Sequence, residues 1–185
     1  AHPTDGHLML RAVERLGALA RRHGVALRQS FARVAHRARR EASRLLYSRG
    51  HKQGLRHLRK LRTYLGRLIR DIGRKIAGDP ALEANFATPL ERAQRIHDQK
   101  PGDTGKLYAF HAPEVECIGK GKARARYEFG VKTSIATTNA RCAGGQFVLG
   151  ALTLPGSPYD GHSLARQLDQ VERLLARPVR RAYVD

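Results

Sequence analysis

The spacing of apolar residues changes along the chain, from a helical period in the first half to short β-rich runs in the second. A first helix is predicted after Thr4 or Asp5, either of which suits an N-cap. A second helical run follows His23-Gly24. The first run carries the apolar residues Leu8, Met9, Val13 and Leu16. In the second, the apolar residues are spaced by three, four or multiples: Leu27, Phe31, Val34, Ala38 and Leu45.

The third helix is the most regular, and it is predicted to follow a break bracketed by Gly50 and Gly54. Its aliphatic residues fall within an arc of about 100° at 3.6 residues per turn. They are Leu58, Leu61, Leu65, Leu68, Ile69, Ile72 and Ile76. The opposite side carries Arg56, Lys60, Arg67, Arg70 and Arg74.

A charged helix face is ordinarily just solvated, but this one has almost no acidic residues with which to form i,i+4 pairs. Neighbouring cations then repel each other by roughly 0.2–0.5 kcal/mol per pair. A phosphate backbone would relieve that repulsion. We therefore favour contact with phosphates over a merely solvated surface.

A composition change divides the chain into two predicted regions. Gly78-Asp79-Pro80 ends the strongly basic part, and Pro80 to about Gln99 is predicted to form one further helix or two short ones. The segment Lys100–Gly105 is rich in turn-forming residues. The prediction is a basic helical region at 1–99 and a second region at 100–185.

The second region contains short runs of β-branched and aromatic residues. The runs are Leu107–Phe110, Tyr127–Thr138 and Gln146–Leu154. The last two are predicted to pair as a β-hairpin across Asn139–Gly145.

A helix and a strand are predicted after this hairpin. The helix extends from Asp160 to about Ala176, and residues 180–184 form a short buried strand that ends at Asp185. Strands followed by a helix and another strand indicate an α+β or α/β sheet behind an all-helical block.

Charge is concentrated in the helical block. The chain has a formal net charge of +19, and residues 1–78 hold 20 Lys and Arg against 4 acidic residues, a balance of +16. Residues 79–185 hold 15 against 12, a balance of +3. Such a local positive field attracts polyanions, of which nucleic acid is the usual one in a cell.

Several function classes are disfavoured by what the sequence lacks. Cys117 and Cys142 have no paired Cys or His spacing, so a disulfide or zinc site has little support, and both are expected to be packing residues. Neither the P-loop nor the dinucleotide-binding fingerprint is present. No window approaches the ~18 apolar residues of a membrane span, and the N-terminus lacks a signal-peptide pattern. We expect a cytoplasmic protein that does not bind membranes.

Two carboxylates of the second region have suggestive positions. Asp160 follows a proline-containing turn and precedes a helix, so N-capping is its default role. Asp185 follows a predicted strand, where an acid is suited to hold a divalent metal near a phosphodiester. Metal-assisted phosphodiester chemistry needs several carboxylates from different elements, so Asp185 alone is not a site.

Four segments are similar to a group of bacterial insertion-sequence transposases. They are His111–Lys122, Tyr127–Lys132, Leu154–His162 and Tyr183–Asp185. The sequences of Ala1–Asp5 and Leu61–Arg67 are similar to the same group. The resemblance thus spans essentially the whole chain. These transposases carry a DDE catalytic domain with a ribonuclease-H-like fold.

The resemblance implies an α+β chain in which a partial ribonuclease-H-like mixed sheet carries a large basic helical insertion at about 6–99. It implies Mg²⁺- or Mn²⁺-dependent cleavage of transposon ends and strand transfer to target DNA. Asp185 takes the place of the second metal-binding acid. The first Asp and the Glu have no counterpart in these residues, so the chain is expected to be an interior fragment that is inactive alone.

The resemblance also bears on neighbouring residues and on partners. Asp160 and His162 are expected to support the site without binding the metal; the turn before them has Ser157 where the family has Asn, and Ser forms such turns only weakly. Further DNA contacts are expected from Lys120, Lys122, Arg124 and Arg126. The partner is double-stranded DNA in the nucleoid, and the full-length parent is expected to be a homo-oligomer on DNA.

Two alternatives remain open on the residues alone. A non-catalytic basic DNA-binding module would also explain the +16 block and the missing acids. An RNA-associated structural protein is less favoured, because 6% aromatic residues and no Trp leave few platforms for stacking bases.

Overall fold

The computed structural model describes residues 4–46, 48–119, 126–140 and 143–184. The chain divides into two compact units, Ala1–Pro113 and Glu114–Asp185. The first unit is helical, and the second contains all the strands found among the described residues.

The first helix, α1, spans Asp5–Arg22 and confirms the predicted N-terminus. Thr4 is the N-cap, and its side-chain oxygen accepts a hydrogen bond from the backbone N–H of His7 at 3.3 Å. The residues that predicted the helix are buried, with Val13 and Leu16 at most 1% exposed. Their three- and four-residue spacing places them on one side, which packs into the unit's core.

The second helix, α2, spans Ala32–Leu46, so the predicted run begins too early. Phe31 has a φ of 57°, in the left-handed region, and a helix cannot continue through that conformation. Leu27 and Phe31 therefore belong to the connection before α2, although both pack on the core. Val34 is 38% exposed and is not a core residue as predicted.

Helix α3 spans His51–Ile76, and helix α4 spans Pro80–Asp98 as one continuous element. Gly54 lies inside α3 and does not mark the break; a Cβ atom there would lie 2.9 Å from the backbone nitrogen of Leu46. The aliphatic face of α3 forms the centre of the core. Its fully buried members are Leu61, Leu65, Leu68 and Ile72.

The helical unit extends beyond the boundary predicted at 99/100, because residues 100–113 pack with the helices. Gln99 is 7% exposed and Leu107 is 1% exposed. The Gln99 side chain accepts from the Leu107 N–H at 3.1 Å and donates to the Leu107 carbonyl at 3.3 Å. The run Leu107–Phe110, predicted as β-rich, forms no strand and anchors the connection instead.

The second unit contains two antiparallel strand pairs. Strand β1, Glu116–Gly119, pairs with β2, Tyr127–Gly130. Strand β3, Lys132–Thr137, pairs with β4, Val148–Leu154, which confirms the predicted hairpin for the second part of the run Tyr127–Thr138. The first part of that run is β2, which pairs with β1 and not with β4. The sequence analysis did not identify β1 as a strand.

Helix α5, Gly161–Leu175, packs on β4 and β3 and confirms the predicted helix after the turn. The buried strand predicted at 180–184 is wrong. These residues are not in a strand, and Tyr183 and Val184 are each 71% exposed. A strand needs a neighbour for its backbone groups, and the β3–β4 pair includes no such third strand among the described residues.

The architecture is therefore α+β, as predicted, with strands found only in antiparallel pairs among the described residues.

Cys117 is exposed on β1 with a free thiol, so its predicted packing role is wrong. Alternation along a short strand placed it on the outer side. Cys142 lies outside the described residues.

Candidate nucleic-acid interface

The five predicted cations of α3 are all exposed and form one surface, the α3 stripe. It consists of Arg56, Lys60, Arg67, Arg70 and Arg74. At 100° per residue they fall within an arc of about 80°, and 1.5 Å per residue separates the first from the last by about 27 Å along the axis. The stripe is therefore a narrow, straight row of positive charge.

The packing of α3 determines which side remains open. Helices α1, α2 and α4 all contact α3. A Cβ atom on Gly66 would lie 2.8 Å from the Nε2 atom of His97, so α4 approaches α3 closely at that glycine. With its aliphatic side covered by three helices, α3 leaves the cationic side facing solvent.

The stripe's charge is not neutralised by acids of its own helix. The acidic residue of α3, Asp71, is 8% exposed and accepts from the backbone N–H of Arg28 at 2.9 Å. That hydrogen bond is the main reason why the pKa of Asp71 is lowered, and the positive charge of Lys75, at 3.5 Å, also lowers it. Asp71 reaches only one stripe residue, Arg74, at 3.7 Å.

The remaining four stripe residues have no carboxylate partner within the described parts of the chain. They are Arg56, Lys60, Arg67 and Arg70. Their positive charges are carried by one continuous helix. Such a surface is suited to a row of phosphates.

Two further cations extend the stripe and were missed in the sequence analysis. Lys52 and Arg59 are exposed and lie within about 60° of Arg56 around the helix axis. The same helical-wheel argument that found the stripe includes them. Arg62 has a different task, since it donates to the Gln99 carbonyl at 3.0 Å and holds the end of α4.

Asp160 does not make the side-chain N-cap that its position suggested. Its Oδ1 atom lies 2.6 Å from the Nζ atom of Lys132, which also donates to the Pro158 carbonyl at 2.6 Å. The backbone carbonyl of Asp160 accepts from the side chain of Ser163 at 2.7 Å. Asp160 thus links the start of α5 to β3.

His162 is exposed at the start of α5 and stacks edge-to-face with Tyr159, with ring centroids 5.6 Å apart. Ser157, in the preceding turn, has a φ of 44°. The left-handed conformation is one that Asn tolerates better than Ser. The turn therefore keeps a geometry suited to Asn although Ser occupies it.

A cleft of about 770 Å³ borders Asp160 in the second unit. Every residue of β3 contributes to its wall, together with residues of α5 and of the segment 177–184. Gln167 lies in this wall at 4% exposure, and its Oε1 atom is buried without a hydrogen-bond partner. Asp160 and Val184, which precedes Asp185, therefore border one cleft.

Several predicted site residues lie outside the described residues. They are Asp185, Lys120, Lys122 and Arg124. Arg126 is described and is exposed directly before β2.

The described parts of the chain contain no group of three or more His, Cys, Asp or Glu residues that could hold a metal ion. They do not by themselves provide the donor set of a Mg²⁺ or Mn²⁺ site.

Among the described residues, no helix is both long and apolar enough to cross a membrane.

Comparison with known proteins yields one partial similarity. The chain is 47% identical over 49 residues to the uncharacterized protein ORF8 in the nfe locus of Rhizobium meliloti. The match covers 26% of this chain and 24% of that protein, so the chain spans about a quarter of the length of this relative. No protein-family model matches the chain, and no solved structure matches it.

Proposed function

We propose that this chain binds double-stranded DNA through the α3 stripe, as the basic helical part of an insertion-sequence DDE transposase. The observation that carries DNA binding is the row of exposed cations on α3, four of them without a carboxylate partner among the described residues. The assignment to a transposase rests on the segments that resemble that family, such as Leu154–His162 and Tyr183–Asp185.

The arrangement of the stripe favours a duplex over a smaller anion. Its cations extend along about 27 Å, which is close to one helical turn of B-DNA, about 34 Å. Four phosphate contacts, one for each unpaired cation, would make the logarithm of the binding constant fall with the logarithm of salt concentration with a slope of about −3.6. Contacts of this kind give affinity without sequence preference.

The test measures duplex affinity over a range of salt concentrations for the chain and for the variant R56Q/R67Q/R70Q. Glutamine keeps helix propensity and length but removes the charge. We expect the variant to bind more weakly and its salt slope to become shallower by about 2.7, which is 0.9 for each of the three charges removed.

A matched control removes the same charge from the second unit with R166Q/R173Q/R180Q, three exposed arginines. The control should retain the slope of the unmodified chain, because its arginines are outside the stripe. Affinity that is indifferent to salt, or equal slopes for the stripe variant and the control, would rule out the stripe as the DNA-binding surface.

For the full-length transposase, we propose metal-dependent cleavage and strand transfer in which the second unit forms part of a ribonuclease-H-like domain and Asp185 is one metal ligand. The resemblance supports this proposal, together with the cleft that borders Asp160 and Val184. The test is Mg²⁺-dependent cleavage of transposon-end DNA by full-length protein carrying Asp185→Asn. Full activity of that variant would overturn the catalytic assignment.

Structured RNA is the competing ligand, because the stripe contacts phosphates and does not read bases. A competition experiment between duplex DNA and structured RNA separates the two. Preference for the RNA would favour the RNA-associated alternative, and preference for duplex DNA supports the transposase proposal.

A further inference from the structure

Helix α2 carries a second row of cations that is separate from the α3 stripe. Its buried side is narrow and consists of Ala35, Ala38 and Ala42, each at most 5% exposed. Four exposed arginines at intervals of four, three and four residues lie opposite, within an arc of about 60°. They form the α2 ridge: Arg33, Arg37, Arg40 and Arg44.

The α2 ridge is largely unpaired. Glu41, the acidic residue of α2, is bound by Arg44 at 2.9 Å. Arg33, Arg37 and Arg40 have no acidic partner among the described residues. Neighbouring arginines at these spacings repel each other by roughly 0.2–0.5 kcal/mol per pair in the absence of a ligand.

The chemistry of the ridge points to phosphate. All four cations are arginine, whose planar guanidinium group can donate two parallel hydrogen bonds to one phosphate. Arg39 differs from them, because it is partly buried and its Nε atom is enclosed by protein. Only the arginines that face away from the core belong to the ridge.

The ridge and the stripe face different directions. Helix α2 runs antiparallel to α3, as shown by the stacking of Phe31 on Tyr64 at 5.2 Å and the approach of Gly54 to Leu46. Tyr64 and Gly54 lie about 80° and 160° around the α3 axis from Arg56. Helix α2 therefore covers the flank of α3, and its ridge points away from α3 on that flank.

A straight duplex that lies along the stripe cannot also lie along a ridge that points in another direction. We propose that the α2 ridge is a second phosphate-binding face, so that the helical unit holds two DNA duplexes at once. This inference rests on the proposed DNA binding by the α3 stripe. The ridge has three unpaired cations and a predicted salt slope of about −2.7, so it is the weaker of the two faces.

The test counts the duplexes bound per chain at low salt. A labelled duplex of about 15 base pairs, or one and a half helical turns, is added in excess to the full chain, and the complex is sized by sedimentation. The chain should bind two duplexes. The ridge variant R33Q/R37Q/R40Q and the stripe variant R56Q/R67Q/R70Q should each bind one, and the control R166Q/R173Q/R180Q should bind two.

A second assay measures bridging between duplexes. The chain is loaded on an immobilised duplex, and capture of a second, labelled duplex is recorded. The unmodified chain and the control should capture it, whereas the ridge variant should lose at least nine-tenths of the capture while it still binds the first duplex. A circular-dichroism spectrum and urea midpoint equal to those of the control show that the ridge variant is folded.

The outcomes separate this inference from the proposed function. If the unmodified chain binds only one duplex, or the ridge variant captures the second duplex as well as the control does, the second face is refuted while DNA binding by the stripe stands. If the unmodified chain binds no duplex, the proposed function itself fails.

Discussion

Asp71 provides a sharp test of how the α3 stripe is held. Its side chain turns inward at 8% exposure and accepts the backbone N–H of Arg28, 43 positions away in sequence. Lys75 lies 3.5 Å from the same carboxylate and also donates to the Ala26 carbonyl. One carboxylate thus ties the connection between α1 and α2 to the middle of the helical unit.

The loss in the free energy of unfolding when Asp71 is replaced depends on the kind of hydrogen bond that is lost. A bond to a charged group is worth about 1.5–3 kcal/mol, against about 0.5–1.5 kcal/mol for a neutral one. Asp71→Asn keeps an oxygen for the Arg28 N–H but removes the charge, so the free energy of unfolding should fall by about 1 kcal/mol. Asp71→Ala removes the acceptor as well and should cost about 2–3 kcal/mol.

The contribution of Asp71 to the free energy of unfolding changes with pH in a definite direction. The pKa of Asp71 is lowered in the folded state, chiefly by the hydrogen bond from Arg28. A lowered carboxyl pKa contributes stability above the unfolded-state pKa, and that contribution disappears as the pH falls through the folded-state pKa. The difference between the unmodified chain and Asp71→Asn should therefore be largest near neutral pH and shrink in acid.

Urea unfolding monitored by circular dichroism, at neutral pH and at a pH below the folded-state pKa of Asp71, measures both effects. Asp169→Asn is the matched control, because Asp169 is an exposed acid on α5 for which no hydrogen-bond or ion-pair partner is found in the part of the chain that the structure describes. Equal stability of Asp71→Asn and the control at neutral pH would refute the reasoning. A stability gap that stays constant in acid would refute its electrostatic part.

Two further predictions concern helix contacts. Gly54→Ala should destabilise the chain, because its Cβ atom would lie 2.9 Å from the Leu46 backbone nitrogen. Gly73→Ala should instead stabilise the chain by about 0.5–1 kcal/mol through helix propensity, because nothing lies within 4 Å of its Cβ position. Equal shifts of the urea midpoint for the two variants would contradict this prediction. Gln99→Ala should cost about 1–3 kcal/mol by leaving buried backbone groups unpaired, and should speed proteolysis within residues 100–107; an unchanged cleavage rate would show that Gln99 does not anchor that segment.

The helices were predictable because their information is local. A run of apolar residues at helical spacing fixes which side of a helix packs, whichever helix it packs against. The stripe on α3 follows from such spacing, and the start of α4 follows from Asp79-Pro80, where the Asp79 side chain accepts from the N–H groups of Ala81 and Leu82 at 3.0 Å. The sequence left open whether one helix or two short ones follow that start, and the structure has one.

The errors share one physical origin, which is that the outcome depended on partners distant in sequence. Residues 180–184 have β-like composition, but a strand forms only where another strand is available for pairing. The run Leu107–Phe110 has a similar composition, but it forms no strand. Its first residue instead anchors a connection by hydrogen bonds to the Gln99 side chain. Phe31 interrupts a periodic run before α2: its backbone adopts a left-handed conformation, and its ring stacks on Tyr64 of α3, 33 positions away.

Some features of the candidate site could be predicted from the sequence, and others could not. The α3 stripe was found from sequence, but the α2 ridge was not singled out, because four arginines in a helical run have no meaning until the alanines opposite them are known to be buried. The link from Asp160 to Lys132 was likewise unpredictable, since the two residues belong to different elements.

By itself, the sequence determined the presence and order of the helices, the hairpin turn and the concentration of positive charge, because each depends on residues a few positions apart. Only the tertiary structure decided which cations stay unpaired. Asp71 could have neutralised the stripe along its own helix, but the fold turns it toward Arg28, because a buried carboxylate requires a donor and the connection before α2 supplies one. The exposed charge of α3 is thus a property of sequence that the packing preserves.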